Sequence, residues 1–153
     1  MKKSQQLTQE SMNNEINIVQ RVSEKWDCEY TYIGKNLFSR IDGIFHKENE
    51  LKGIFEVRKK KQTLKWLQDY NSCLVSFNKL VLGAELSRIL GVKFFYIIGT
   101  GDNKVLIYTI TERNGKIVCP MNIRYSEHSK KSLNFEKQTN AYLSLDTEFL
   151  KII

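Results

Sequence analysis

Cysteine is scarce in this chain: Cys28, Cys73 and Cys119 stand far apart among 153 residues and form no CxxC pair. Their spacing speaks against a zinc site and against a disulfide framework, and leaves the three thiols as small buried apolar groups. Histidine is scarcer still. His46 and His128 have no serine or cysteine constellation around them that would make a nucleophile and base, and His46 reads as a hairpin residue. No run of about 18 apolar residues occurs, and the basic start Met1-Lys2-Lys3 leads into the polar Ser4 to Gln9 rather than into an apolar signal core. The expectation is a protein kept in a reducing cytoplasm, neither secreted nor in a membrane. Gly99-Thr100-Gly101-Asp102 follows a strand-like run but has no third glycine and no helix start, so a dinucleotide fingerprint fails and the segment reads as a turn. Internal repeats and low-complexity segments are also missing.

What is present is an ordinary globular balance, 41% hydrophobic and 27% charged, in a length that suits one domain with a real core. Twenty-four Lys and Arg against seventeen Asp and Glu leave a formal charge of +7. That excess favours encounters with polyanions such as DNA, RNA or an anionic membrane surface, without choosing among them.

Residues 1–10 are polar and aperiodic and are expected as a flexible tail, with a single domain over 11–153. From Ser11 to Trp26 the residues Met12, Ile16, Val19, Val22 and Trp26 recur at helical spacing. Tyr30 to Ile33, Asn36 to His46 and Leu51 to Lys59 are rich in β-formers and are separated by Gly34-Lys35 and by Lys47-Glu48-Asn49-Glu50, the pattern of an antiparallel meander. A short helical turn is expected over Thr63 to Tyr70 and a longer helix from Cys73 to Leu90, stopped by Gly91, with Gly83 marking close packing. Val92 to Ile98 reads as a strand buried on both faces, and Lys104 to Thr111 as its neighbour. Beyond the hairpin signal Asn114-Gly115, Lys116 to Tyr125, Ser132 to Phe135 and Ala141 to Ile153 read as short strands and a closing turn of helix. The sum is an α/β sheet with flanking helices.

The chemistry concentrates on the third strand. Alternation puts Glu56 and Arg58 on one face and Phe55 and Val57 on the other, apolar one. A three-residue loop at Glu48-Asn49-Glu50 sets Lys47 against Leu51 and carries Asp42 opposite Glu56, with Cβ atoms roughly 4.5 to 5.5 Å apart. Two carboxylates this close repel unless a proton or a cation intervenes, and all-oxygen ligation suits Mg²⁺. The alternative is plain: Asp42 precedes a turn-prone Gly43, and Glu56 is a solvated residue on an edge strand.

Ile41-Asp42-Gly43, a hairpin, and then Phe55-Glu56-Val57-Arg58 resemble the PD-(D/E)XK signature, an acid at a strand end followed by acid-x-basic in a β run. The continuation Ser76-Phe77-Asn78-Lys79-Leu80 to Ala84-Glu85-Leu86, then Leu90-Gly91-Val92-Lys93-Phe94-Phe95, is similar to the helix and fourth strand of small phage-encoded nucleases of that superfamily, relatives of the Holliday-junction resolvases. The likeness runs from about residue 11 to the C-terminus and takes in the ending Ala141 to Phe149. It implies a restriction-endonuclease-like core, in the order αβββαβ with a central mixed sheet and a short β-rich C-terminal extension. It also implies a Mg²⁺ (or Mn²⁺) ion held by Asp42, Glu56 and the carbonyl of Val57, and a DNA substrate, branched or structured by analogy. A phage protein of this kind would work in the cytoplasm of its host, and a homodimer would serve to cut both strands of a duplex.

The family's usual lysine is replaced by Arg58, whose guanidinium stays charged and cannot serve as a general base. Either Lys79 on the following helix supplies the missing ammonium, or the site is weakened or dead and the chain is an inactive nuclease-fold protein that binds nucleic acid or serves in a virion. The superfamily often adds an acid from its first helix. Glu15, close in angle to Val19, Val22 and Trp26, is the matching position, with a snorkelling surface acid as the other reading. Lys59-Lys60-Lys61 continue the basic run from Arg58 and either contact phosphates beside the cut or protect a sheet edge. Trp66 and Tyr70, four apart, are expected in the core rather than stacked on a base. A third class of function, a structural or protein-interaction domain with merely solvated charges, predicts neither DNA nor metal binding and would be favoured by a sheet that sets Asp42 and Glu56 far apart.

Overall fold

A computed structural model describes residues 2–34, 40–126 and 138–153, with side chains described for 9–34, 40–125 and 139–153. The long helix α1 (Lys2–Trp26) leads into three antiparallel strands, β1 (Glu29–Tyr32), β2 (Gly43–Lys47) and β3 (Glu50–Lys59). A short helix α2 (Leu64–Tyr70), strand β4 (Cys73–Ser76) and helix α3 (Phe77–Leu90) carry the chain across to β5 (Lys93–Gly99), which lies parallel to β3. Strands β6 (Val105–Thr109), β7 (Met121–Ser126), β8 (Gln138–Leu143) and β9 (Leu150–Ile152) complete the fold. The main sheet has the order β1-β2-β3-β5-β6-β9 and is mixed, and β4-β8-β7 form a smaller antiparallel sheet. The α/β class with a mixed central sheet and flanking helices is as expected.

Two apolar layers cover the main sheet. On one face Ile18, Val19 and Val22 of α1 pack on Phe45, Phe55, Val57, Ile97 and Ile107. On the other, Ile54, Tyr96, Ile98, Leu106 and Tyr108 meet Leu80 of α3 and the inner residues Cys73, Val75, Ala141 and Leu143 of the small sheet. Strand β5 is thus buried from both sides, which explains its unbroken apolar sequence. Cys73 and Cys119 are buried and Cys28 is half-buried. Burial pushes the Cys73 and Cys119 thiols up to about 11, so both stay protonated and inert.

Several element boundaries differ from expectation. α1 begins at Lys2, so residues 2–10, expected as a tail, continue the helix; the polar run lacks an apolar period, but its Lys, Gln and Glu are good helix formers and nothing in it breaks one. The helix expected from Cys73 starts only at Phe77. Cys73–Ser76 is a strand whose residues alternate buried and exposed, a period of two hidden in a short apolar run. Of the strand expected over Asn36 to His46, residues 36–39 lie outside the described residues, and the described part is β from Gly43. Lys116–Tyr125 narrows to β7, and the end of the chain forms β8 and β9 with no closing helix among the described residues. The strand expected over Ser132–Phe135 lies outside the described residues, as does His128.

Gly83 sits where α3 crosses β5, and a methyl group on its Cα would overlap the ring of Phe94. In an open helix Gly→Ala gains about 1 kcal/mol. Here overpacking reverses the sign, and Gly83→Ala is expected to destabilise the protein by about 1–3 kcal/mol in urea unfolding.

Candidate active site

The β2–β3 hairpin sets the site. Its turn is the two-residue Glu48-Asn49, both at positive φ, with Lys47 facing Glu50. A bulge between Phe45 and His46 then absorbs one extra residue of β3. Beyond it Phe45 faces Gly53, Ile44 faces Ile54 and Gly43 faces Phe55, the register that the three-residue loop implied. The loop was misread and the register at the site end was right, because the bulge restores what the shorter turn removes. Gly43 permits the close approach: a side chain there would run into the Phe55 ring and the Thr31 carbonyl. His46 is the expected hairpin residue, its ring between Thr31 and Glu29.

Asp42 follows directly from the last ladder pair. Its backbone N–H donates to the Phe55 carbonyl at 3.0 Å, and its Oδ2 accepts from the Val57 N–H at 2.9 Å. Those two bonds lock the carboxylate against β3 beside Glu56. Asp42 is 1% exposed and Glu56 is fully buried in the centre of the sheet, between β2 and β5. The reading of Glu56 as a solvated edge residue fails on both counts.

Glu56 is the unusual group. No described residue hydrogen-bonds either of its carboxylate oxygens, although both are shut off from solvent. The Lys79 ammonium lies 3.8 Å from Oε1, a partial counter-charge. Burial first, then the charge of the neighbouring Asp42, push the Glu56 carboxyl up to about 8, against the opposing pull of Lys79 and Arg58. With both acids ionised neither can donate to the other, whereas one proton shared between them would let them pair. Removing that proton calls for a cation. The donor set fits a hard one, since two adjacent carboxylates next to a main-chain strand offer oxygen ligands only. Among the described residues no group of three or more His, Cys, Asp or Glu gathers at one point, so further ligands would have to be carbonyl, water or phosphate oxygens.

Arg58 lies on the Glu56 face, half-buried, and its guanidinium donates a hydrogen bond to the Tyr96 hydroxyl while the Asp42 and Glu56 charges favour its cationic form. Tyr96, buried on β5 opposite Glu56, is pushed up to about 12 chiefly by burial, so it stays neutral and serves as an anchor. Lys79, which one of the two readings of Arg58 named, reaches Glu56 from the first turn of α3.

Glu15 is on the buried stripe of α1, 4% exposed, which removes the snorkelling reading. It accepts a hydrogen bond of 2.6 Å from the Tyr32 hydroxyl. The Tyr32 phenol is pushed upward by burial and by that bond, and feels the charges of Asp42 and Arg58, which places Glu15 and Tyr32 at the margin of the acid pair. Glu15 also lines a cleft of about 520 Å³ with Ser11, Asn14, Arg58, Lys59, Lys60 and Lys61. An adjoining cavity of about 260 Å³ shares Asn14 and Lys59 and adds Arg21 and Lys104. The basic run therefore leaves a central strand, not an edge, and opens into a cationic trough. Lys59 donates to the Thr100 carbonyl and Lys60 to the Leu74 carbonyl at 2.7 Å, while Lys61 is exposed.

Sequence reasoning missed Tyr32, Tyr96, Arg21 and Lys104. The strand pairing of Glu56 with Tyr96 and the meeting of α1 with the Thr100–Lys104 turn are tertiary facts with no local signal. The turn expected over Gly99 to Asp102 is present after Gly99, which ends β5, and Thr100 Oγ1 closes it by donating to Asp102 at 2.6 Å. Trp66 and Tyr70 contradict their expected place in the core: both are exposed and stack on each other, centroids 4.3 Å apart, because the inner face of α2 is filled by Leu67. No protein-family model, curated protein or solved structure matches the chain.

Proposed function

We propose that the chain is a Mg²⁺-dependent endonuclease that hydrolyses DNA phosphodiesters at Asp42 and Glu56. The observation that carries this reading is the fully buried Glu56 carboxylate, with neither oxygen hydrogen-bonded by a described residue, beside a second buried carboxylate and two residues from Arg58, which lines a cationic cleft. The order of α1, β1, β2, β3, α3 and β5, with β3 and β5 parallel, supports a restriction-endonuclease-like αβββαβ core. Asp42, Glu56 and the Val57 carbonyl are the proposed metal ligands. When bound, the ion supplies Lewis-acid polarisation of a phosphoryl oxygen and a water of lowered pKa.

The protein's own groups do the rest. The Val57 N–H fixes one oxygen of Asp42, so the carboxylate keeps its orientation when the Glu56 proton is lost. Arg58 remains a cation and cannot take a proton from water; held by Tyr96, it offsets phosphate charge. Lys79 stands where an ammonium can orient a nucleophilic water. Lys59, Lys60 and Lys61 hold the strand through its phosphates, and Glu15 with Tyr32 borders the cleft. Cleaving both strands of a duplex calls for two such sites, and a homodimer is the proposed active form. The test is incubation of linear, branched and supercoiled DNA with Mg²⁺ or Mn²⁺.

One observation favours a second reading. Arg58 stands in place of a lysine and is tied to Tyr96, which fits a nuclease-fold protein that binds DNA, or serves in a virion, without cutting it. That protein would shift DNA in EDTA and cut nothing in Mg²⁺. Both readings expect phosphate contacts from the basic run. Changing Lys60 and Lys61 together to Gln is expected to reduce the slope of log Kd against log salt by about two, measured by fluorescence anisotropy on duplex DNA.

A further inference from the structure

The small sheet buries one face and leaves the other open. Cys73, Val75, Ala141 and Leu143 point into the core, whereas Leu74, Tyr142 and Asn122 form a row across β4, β8 and β7 on the outer face. That outer face borders a groove of about 590 Å³, separate from the acid pair, lined by Tyr70, Asn71, Asn122, Arg124, Tyr142 and Ser144 among others. The Arg124 guanidinium lies 5.3 Å from the centre of the Tyr142 ring. Tyr70, 67% exposed, stands at the groove already stacked on Trp66.

These are the parts of a base-stacking site. Two aromatic faces and a guanidinium plane offer surfaces on which any base can lie, and Asn71, Asn122 and Ser144 supply amide and hydroxyl groups for base edges. The charge suits a polyanion. The groove also continues the basic trough: Lys60, which lines the cleft by the acid pair, donates to the carbonyl of Leu74, and Leu74 is two residues, about 7 Å of extended chain, from Ser72 at the groove. A nucleic-acid strand lying on Lys60 and Lys61 would thus carry its next bases onto Tyr70 and Tyr142. Paired bases cannot stack on side chains in this way, because their faces are covered by neighbours in the duplex.

We propose that this groove binds unpaired nucleobases, so that the protein selects DNA with a single-stranded segment leading away from the acid pair. The inference rests on the reading of the acid pair as a nuclease site only for its consequence, substrate choice; the binding itself needs no metal and is measured without it. The experiment is anisotropy of a labelled twelve-residue oligothymidylate and of a blunt duplex, in EDTA, with wild type, Tyr70→Ala and Arg124→Ala. Both positions are exposed, and far-ultraviolet circular dichroism checks the fold. The expected result is that each variant loses about tenfold in affinity for the oligothymidylate and less than about twofold for the duplex. Unchanged oligothymidylate affinity in both variants, or equal losses on both DNAs, overturns the proposal. So does a wild-type dimer in sedimentation that the same variants dissolve, since the groove would then belong to a second copy of the chain. Selective loss in a protein that cuts no DNA would refute the nuclease reading and keep the groove; cutting by a protein whose variants bind normally would do the reverse.

Discussion

Asp42→Asn and Glu56→Gln are each expected to lower metal-dependent DNA cleavage by at least about a thousandfold while leaving DNA affinity in EDTA within a few-fold of wild type. A loss of that size corresponds to about 4 kcal/mol of transition-state stabilisation, the scale of a bound metal's contribution. The two effects should not add. If the carboxylates act as one ligand pair, the double variant is no slower than either single one. Supercoiled-plasmid nicking under single-turnover conditions reads all three. Equal losses of cleavage and of binding would instead mean that the acids hold the fold or the DNA.

The second large effect concerns stability. The Glu56 carboxyl is raised above its ordinary range to about 8 by burial and by Asp42, so the folded protein holds a proton that the unfolded chain releases at lower pH. Stability therefore falls as pH rises from the ordinary carboxylate range through about 8, and the cost is fully present above it. The shift is on the order of 3 to 5 kcal/mol for so buried a group. Glu56→Gln removes the charge and gives Asp42 an amide donor. The metal-free variant should thus exceed wild type by about 2–4 kcal/mol in urea unfolding at pH 9, and by much less at pH 5. Excess Mg²⁺ should stabilise wild type at pH 9, by about 3 kcal/mol at a hundred times its Kd, and should leave the variant unmoved. A substitution that strengthens the fold while destroying activity marks a residue kept for chemistry.

Much of this arrangement was legible because it is written in local periodicity. Alternation in Phe55-Glu56-Val57-Arg58 separated the two faces of β3, and the structure gives Phe55 and Val57 to the α1 layer and Glu56 to the α3 side. The stripe that included Val19 and Val22 placed Glu15 correctly on the buried side of α1. Short elements were not legible. Cys73 to Ser76 has too few residues to show whether its period is two or 3.6, and only pairing with β8 makes it a strand. Trp66 and Tyr70 were misplaced because four-residue spacing fixes a shared helix face and not the direction that face points. The cationic trough draws Arg21, Lys59 and Lys104 from three distant segments, which no spacing rule brings together.

Whether Asp42 and Glu56 form one divalent-cation site is tested most directly by isothermal titration of the protein with Mn²⁺ at pH 8.5. The expected result is one ion per chain in wild type, none in Asp42→Asn or Glu56→Gln, and a heat that varies with buffer ionisation as the Glu56 proton leaves. Mn²⁺ binding that is unchanged in both variants, or missing in a folded wild-type protein, would contradict it.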